Sequence, residues 1–479
     1  MRPHVIFRYT GFVMLLNGIF MFISVIVSAL YSDDSFFPLL YSGIVSTLIG
    51  IFPLIFVPPV TDINNREGFF IVVTSWLITC LVGVMPYVLW GGPFTFINAW
   101  FESVSGFTTT GSSILSDIEA LPMGLLFWRS TTHWIGGIGI IIFVLSVLPY
   151  MGRAGMILYR TEISSLATEN FHYRTKKTIN ILFYVYVTLT LLETVLLLFC
   201  GMNLFDAITH SFATIATGGF SPKNLSIAYY NSLSIEIVII AFMILSGIHF
   251  GLLFGVISGK ISEIWKSSII RYYIFALIAG TMITMVSVRM HNYDTWLESL
   301  QYSAFQIISL GTSTGFATAD TSIWPSLAQL IMIFFTLQCA CAGSTSGGIK
   351  VDRVVIFWKS FQKRLIQFRH PRAIVVPKID KMAIKEDELE MGMLYICLYM
   401  GVVFLSSILL TSLGLDSLTA FSASAATMGN VGPGFSMVGS MSNFGSIPDI
   451  GKLILTGTML LGRLEIFGLI IFFTVRSWK

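Results

Sequence analysis

Ten apolar runs, each near the length that crosses a bilayer, dominate this chain. They lie at roughly 8–31, 38–59, 68–90, 123–150, 178–201, 233–257, 270–290, 325–357, 388–412 and 450–475. A helix needs ~20 residues to cross about 30 Å of hydrocarbon. In lipid every backbone polar group must find its partner within the protein, so runs of this length fold as helices. With 55% of its 479 residues hydrophobic and only 11% charged, the chain falls among polytopic membrane proteins. A net charge of +3 implies no nucleic-acid partner; the lipid membrane is the expected surroundings. Cys80, Cys200, Cys339, Cys341 and Cys397 are odd in number and scattered through apolar segments. A disulfide framework is not expected, and no CxxC pair suggests zinc. The N-terminus, MRPHVIFRYTGFVMLLNGIF, starts like a signal peptide but continues as a full span without a small-residue cleavage site, so it is read as retained.

Lys and Arg set the orientation. With the N-terminus in the cytoplasm, the loops 60–67, 151–177, 258–269 and 358–387 and the C-terminus share one side. Those regions carry Arg153, Arg160, Arg174, Lys176 and Lys177, then Lys359, Lys363, Arg364, Arg369, Arg372, Lys378, Lys381 and Lys385. The opposite side has Asp33, Asp34, Asp117, Glu119, Asp320 and Asp449 against Lys223 and Lys452. Basic residues accumulate in the cytoplasm, which supports this topology.

Four outside connections carry a shorter, half-apolar segment of their own. Aligned on a glycine without gaps, they read AWFESVSGFTTTG (99–111), AITHSFATIATGG (207–219), SAFQIISLGTSTG (303–315) and AFSASAATMGNVG (420–432). The first position is small in all four, and so are Ser105, Ala213, Ser309 and Ala426, six residues before the glycine. Small-residue outside loops are the plain alternative, but that leaves a register shared by four segments without a cause. The functional reading is a pore of four span–short helix–filter–span units in one chain. Each short helix would stop halfway through the membrane, its C-terminal end carrying about half a negative charge toward a central cation. Extended backbone climbing back out would present carbonyl oxygens that replace an ion's water. The filter segments are Thr109, Thr110 and Gly111; Thr217, Gly218 and Gly219; Ser313, Thr314 and Gly315; Asn430, Val431 and Gly432. Their glycines permit backbone angles closed to other residues.

Over almost its whole length the chain resembles the TrkH branch of the Trk/Ktr/HKT potassium uptake proteins. The resemblance rests on FTTTG (107–111), WRSTTHWIGGIGI (128–140), ATGGFSP (216–222), TSTGFATAD (312–320), CAGSTSGGIK (341–350), NVGPG (430–434) and LLGRLEIF (460–467). Two extra spans ahead of the first unit also look like TrkH rather than KtrB. Ser313 departs from the threonine common in the family, which touches fine selectivity more than ion binding, because the backbone coordinates. The resemblance implies a homodimer with one pore per subunit, K+ held at the filter residues above, and a ring of cytosolic nucleotide-binding regulatory subunits (TrkA-like). A bacterial cytoplasmic (inner) membrane is the expected location.

CAGSTSGGIK interrupts the second span of the third unit. A Walker A loop is excluded, since Ile349 separates the glycines from Lys350 and Val351 follows it. A kinked helix packed through small residues is one reading. The other is a flexible loop below the filter, Gly343, Ser344, Thr345, Ser346, Gly347 and Gly348 with Lys350, that blocks the path and moves aside. The resemblance favours this gating role. Arg463 lies too deep in the last span to snorkel, roughly 20 Å from either end, and must face protein or water. It either pairs with a carboxylate on another span, Glu193 being a candidate, or places positive charge near the inner pore. The family has an arginine of this motif there. Glu465 is two positions on and points to another face. Asp206 and Asp416 are expected to cap short helices. His133 is expected to make a packing hydrogen bond rather than a metal site, and GGIGI (136–140) lies within a span and is no dinucleotide fingerprint.

The expected fold is an all-α polytopic membrane protein with four pseudo-symmetric span–pore helix–filter–span repeats plus two N-terminal spans. Its divisions are 1–66 for the leading spans, then repeats at 67–160, 161–262, 263–375 (with the gating loop) and 376–479. The expected function is potassium uptake by a channel-like path without a covalent cofactor. The alternative on the same fold is a proton- or sodium-coupled symporter. An enzyme would need a paired nucleophile and base or a ligand cluster at membrane depth, and the sequence offers none.

Overall fold

The structure, a computed structural model, describes residues 2–58, 65–146, 175–257, 259, 265–338, 340–380, 382–464 and 466. Cys339, Arg153, Arg160, Arg174, Lys381, Glu465 and the end of the 450–475 run lie outside the described residues.

The leading spans are α1 (Pro3–Tyr31) and α2 (Phe36–Phe56). They meet through small residues: a side chain on Gly11 would fall 2.7 Å from the Gly50 carbonyl, and one on Gly50 2.8 Å from that of Gly11. Close backbone approach of this kind is what holds helices together when lipid gives no hydrophobic drive. There follow α3 (Asn65–Gly83), α4 (Met85–Trp90), α5 (Phe96–Phe107), α6 (Met123–Ser146), α7 (Thr175–Phe199), α8 (Leu204–Ile215), α9 (Leu233–Ser246) and α10 (Phe250–Ile257). The rest are α11 (Ser268–Arg289), α12 (Trp296–Gly311), α13 (Ser326–Leu337), α14 (Val351–Arg369), α15 (Glu386–Ser412), α16 (Ser417–Met428) and α17 (Asp449–Arg463). A small antiparallel hairpin, Lys378–Ile379 against Met382–Ala383, lies between α14 and α15.

The four pseudo-repeats expected from the sequence are visible as α5, α8, α12 and α16, each standing between helices of the long apolar runs. Three of them have 12 residues, or roughly 18 Å at 1.5 Å per residue, little more than half of the hydrocarbon thickness. α12 is longer at its N-terminal end, with 16 residues.

Two expected spans are broken, one by a sharp bend and one by a loop. The run 233–257 breaks after Ser246, and its halves α9 and α10 meet at 109°. The run 325–357 stops as helix at Leu337 and resumes at Val351 as α14, which continues to Arg369. Hydropathy averages over the first break, where the apolar content is nearly continuous, whereas the second was marked in the sequence by CAGSTSGGIK. What ends the helices is local: Gly247 and His249 in the first, the glycine–serine loop in the second.

Candidate functional site

The short helices begin with side-chain caps. The oxygens of Thr95, Asn203, Thr295 and Asp416 accept from the N–H groups of Asn98, Asp206, Glu298 and Thr419. Asp416 is therefore a cap as expected, whereas Asp206 is not. Asn203, an equally good cap, takes that position, and the Asp206 carboxylate instead accepts from Asn203 Nδ2 (2.9 Å) and the Tyr230 hydroxyl (2.6 Å).

All four helices end in the same way. Thr109, Thr217, Ser313 and Asn430 adopt left-handed backbone, with φ of 52°, 55°, 56° and 51°. The following N–H groups, of Thr110, Gly218, Thr314 and Val431, return to the carbonyls of Ser105, Ala213, Ser309 and Ala426 at 2.8–2.9 Å. This is the six-to-one bond of a Schellman ending. The small residues that set the sequence register are thus the acceptors of one repeated hydrogen bond. Glycine ordinarily fills the left-handed position; in an L residue that conformation costs roughly 1–2 kcal/mol. Strain repeated four times at one level of the molecule is characteristic of a functional constraint.

The glycines two residues on have φ of 81° (Gly111, Gly219, Gly315) and 103° (Gly432). Each lies against a neighbour's carbonyl. A side chain on Gly111 would fall on the Gly218 oxygen, one on Gly219 on that of Thr314, and one on Gly315 on that of Val431; one on Gly432 would lie 2.7 Å from the oxygen of Thr110. The contacts run from the first repeat to the second, third, fourth and back to the first. The four segments named from the sequence therefore meet in a closed ring. Asn430 Nδ2 adds a bond from the fourth repeat to Thr110 Oγ1 (2.9 Å), and Ser112 Oγ donates to the Gly432 carbonyl (2.9 Å). Directly outside the ring is a cavity of about 110 Å³ lined by Gly111, Gly219, Gly315 and Gly432 among others.

On the other side of the ring lies the loop between α13 and α14. Thr345 Oγ1 donates to the carbonyl of Ile215, the last residue of α8 (3.0 Å), and accepts from Thr217 Oγ1 (3.3 Å). Gly347 N–H donates to Ser313 Oγ (3.1 Å). A side chain on Gly347 would lie 2.6 Å from both Asn430 Oδ1 and the Gly429 carbonyl. The loop thus touches the second, third and fourth repeats at their left-handed residues. Gly343 and Gly348, with φ of 72° and 69°, turn the chain in and out. Ser344 and Ser346 bond each other (2.8 Å), and the Lys350 ammonium folds back onto the Ser346 carbonyl and hydroxyl. Asp352 accepts from Ala342 N–H (2.7 Å). The break between α9 and α10 supports the loop's entry, because Cys341 N–H donates to the Gly247 carbonyl (3.0 Å) and Phe250 N–H to that of Gly343 (3.2 Å).

Arg463 is buried and donates to the carbonyls of Thr345 (2.6 Å) and Gly136 (3.0 Å). The expected alternative, an ion pair with Glu193, is overturned: the guanidinium's partners are these two backbone carbonyls. The guanidinium bridges the loop and the second span of the first repeat, so all four repeats bear on the loop.

His133 is also a packing residue. Its Nδ1 bonds the Gly106 carbonyl (2.8 Å), and its Nε2 accepts from Phe220 N–H (3.2 Å). Sequence reasoning missed its neighbour on α6, Arg129, which forms a fully buried ion pair with Glu102 of α5 at 2.7 Å. The signal was available, since an arginine and a glutamate within apolar, membrane-depth segments each demand a partner. The bend at 247–249 was likewise signalled only by SGIHFG (246–251).

The family model of TrkH, described as a cation transport protein, matches residues 49–478. The Trk system potassium uptake protein TrkH of Salmonella typhimurium is 36% identical over 422 residues, covering 87% of each chain. The protein of that name from Halomonas elongata is 32% identical over 489 positions, covering 100% of both. The crystal structure of the potassium transporter TrkH from Vibrio parahaemolyticus superposes with a TM-score of 0.91 at 31% identity, covering both chains fully. This chain belongs to the TrkH family of cation transport proteins, a family of transporters rather than enzymes.

Proposed function

We propose that the protein takes up potassium through the ring formed by 109–111, 217–219, 313–315 and 430–432. The observation that carries this reading is the cyclic contact of each filter glycine with its neighbour's carbonyl. Such a ring lines a narrow path with oxygens that stand in for the water around a monovalent cation. The C-terminal ends of four short helices add negative potential below it. Relatives named for potassium uptake, similar over most or all of the chain, support potassium as the cargo.

The loop 343–348 is the gate, held beneath the ring by Arg463 and by Lys350 folding back on it. We further infer that the chain divides at 66, 160, 262 and 375 into leading spans and four repeats. It works as a homodimer in the bacterial cytoplasmic membrane, and a cytosolic nucleotide-binding subunit moves the gate through different contacts with its open and closed positions.

Purified protein in liposomes tests this, with gradients of potassium, sodium and protons set one at a time. The expected result is ⁸⁶Rb⁺ uptake driven by the potassium gradient alone, with Gly315→Ser reducing both flux and discrimination against sodium. Uptake that requires an imposed proton or sodium gradient would replace the channel by the symporter. Full flux and discrimination in Gly315→Ser would remove the filter from this ring.

A further inference from the structure

Nine residues before each filter glycine stand Glu102, His210, Gln306 and Ala423, all buried. The first three reach from the short helix to the segment returning outward from the filter. Glu102 accepts from Ser113 Oγ (3.0 and 3.1 Å) and Ile114 N–H (3.1 Å). His210 Nε2 bonds Ser221 Oγ (3.0 Å), and Gln306 Nε2 donates to the Ala319 carbonyl (3.2 Å). In the fourth repeat Ala423 has nothing to offer, and the adjacent Ser422 Oγ accepts from Phe435 N–H instead (2.9 Å). The four quarters of the ring are therefore braced by different chemistry: a carboxylate, an imidazole, an amide and a hydroxyl.

The first brace differs in kind. Glu102 is paired with Arg129, whose Nε donates to it as well (2.8 Å). The same guanidinium reaches Ser113 Oγ (3.3 Å) and the Ser221 carbonyl (3.4 Å), and lies 4.0 Å from the centre of the Phe220 ring. One turn further along α6, His133 accepts from Phe220 N–H. One face of α6 thus grips the returning segments of the first and second repeats together. Stability alone does not account for such a pair, because well-packed apolar residues of similar volume do as well in a protein interior. Charge-assisted bonds supply strength with direction, the fork of arginine most of all.

We propose that Glu102 and Arg129 are positioning residues for ion discrimination. Together they hold the returning segments 112–114 and 220–221, and through them the carbonyls of the first two filter segments, at a fixed spacing. This rests on the filter reading above. In the size-fit account of selectivity a ring tells potassium from sodium by resisting closure on the smaller ion, and a brace anchored in two repeats opposes that closing.

The test measures ⁸⁶Rb⁺ and ²²Na⁺ uptake per reconstituted molecule, with protein yield and melting temperature recorded separately. Glu102→Gln with Arg129→Gln in one chain removes both charges, keeping the shape of the first side chain and shortening the second. We expect recoverable protein whose rubidium-to-sodium ratio falls roughly tenfold, as about 1.4 kcal/mol of lost discrimination would produce. A wild-type ratio in that chain overturns the proposal. If the double variant yields no folded protein, Ser113→Ala decides, since it leaves the ion pair but removes the hydroxyl that both of its members contact, so that the first returning segment keeps only the Ile114 N–H bond. A ratio lowered severalfold supports the brace and an unchanged ratio overturns it. Gly315→Ser in the same assay separates the two claims. If it lowers the ratio while the brace variants do not, only the brace fails; if it does not, the filter reading fails.

Discussion

Arg463→Ala should turn a regulated protein into a leaky one. The guanidinium donates to two carbonyls, and only that of Thr345 belongs to the loop; the Gly136 carbonyl belongs to the wall. A hydrogen bond from a charged donor is worth about 1.5–3 kcal/mol. The Thr345 bond exists only with the loop seated, so its loss favours the unseated position by that amount, less what water recovers. Taking about 1.5–2 kcal/mol, and a factor of ten for each 1.4 kcal/mol, regulator-free flux should rise roughly 10- to 30-fold. Removing a positive charge from below the ring acts in the same direction. The assay is ⁸⁶Rb⁺ uptake into liposomes without regulator, normalised to the protein inserted. Arg463→Lys separates the two contributions, because an ammonium keeps the charge but cannot bridge both carbonyls as a fork. Intermediate flux in the lysine variant identifies the bond, and wild-type flux identifies the charge. The reasoning is refuted if both variants show wild-type flux per molecule while their melting temperature falls, for then Arg463 is structural only.

Gly347→Ala should also open the pore, because its new side chain would meet Asn430 Oδ1 and the Gly429 carbonyl at 2.6 Å and unseat the loop. Shortening 343–348 should do the same, and wild-type basal uptake in both would dismiss the loop as a plug. Asp33, between α1 and α2, accepts from the Ser28 and Ser35 hydroxyls and the N–H groups of Ser35 and Gly124. Burial pushes its carboxyl up, but these bonds together prevail and hold it below its ordinary value. The stability it adds is present above the unfolded carboxylate's pKa of about 3.9 and lost as pH falls through the lower folded value. Asp33→Asn should cost about 1 kcal/mol at pH 7, a figure already reduced for partial exposure. The melting gap to wild type should narrow below pH 4, and a gap independent of pH would contradict the linkage. Charge reversal at Lys359 and Arg364 of α14 should weaken binding of the regulator and the nucleotide response while leaving a loop-shortened variant leaky. Lys363 is better left alone, since it already pairs with Glu386 at 2.6 Å. Intact regulator binding after the reversals would mean that these charges serve only topology.

The fourfold plan was legible because it is written in residue size. Ser105, Ala213, Ser309 and Ala426 recur at a fixed distance from a glycine, and the structure uses their carbonyls identically. Hydropathy found the apolar runs but not the break at 247–249, where a helix is interrupted with little loss of apolar content; the break at 338–350 was legible in the glycines, serines and threonine of CAGSTSGGIK. The left-handed backbone at Thr109, Thr217, Ser313 and Asn430 could not be read from residue type, since three of these four are poor candidates for it. Asp206 shows a further limit: two good caps lay three residues apart, and only the helix's true start distinguishes them. The Glu102–Arg129 pair spans 27 positions and two elements, so no local spacing rule reports it. Two unexplained charges at membrane depth should have been matched to each other.

The seat of the loop has a consequence for the inner mouth. The oxygens that hold the loop are the Ile215 carbonyl and the hydroxyls of Thr217 and Ser313. Were the loop to depart, the Ile215 carbonyl and the Ser313 hydroxyl would lose these partners together, while the Thr217 hydroxyl would keep its bond to the Ala216 carbonyl. In most buried sites such loss would be a penalty to be overcome. Here the arriving species are water and a hydrated cation, which satisfy the same oxygens. If the loop is the gate proposed above, the latch and the ion's first landing are one set of atoms, and gate closure and ion occupancy of the inner mouth compete for the same ligands. Raising potassium on the cytoplasmic side should accordingly hold the pore open by occupying the latch, a foot-in-the-door effect that needs no regulator.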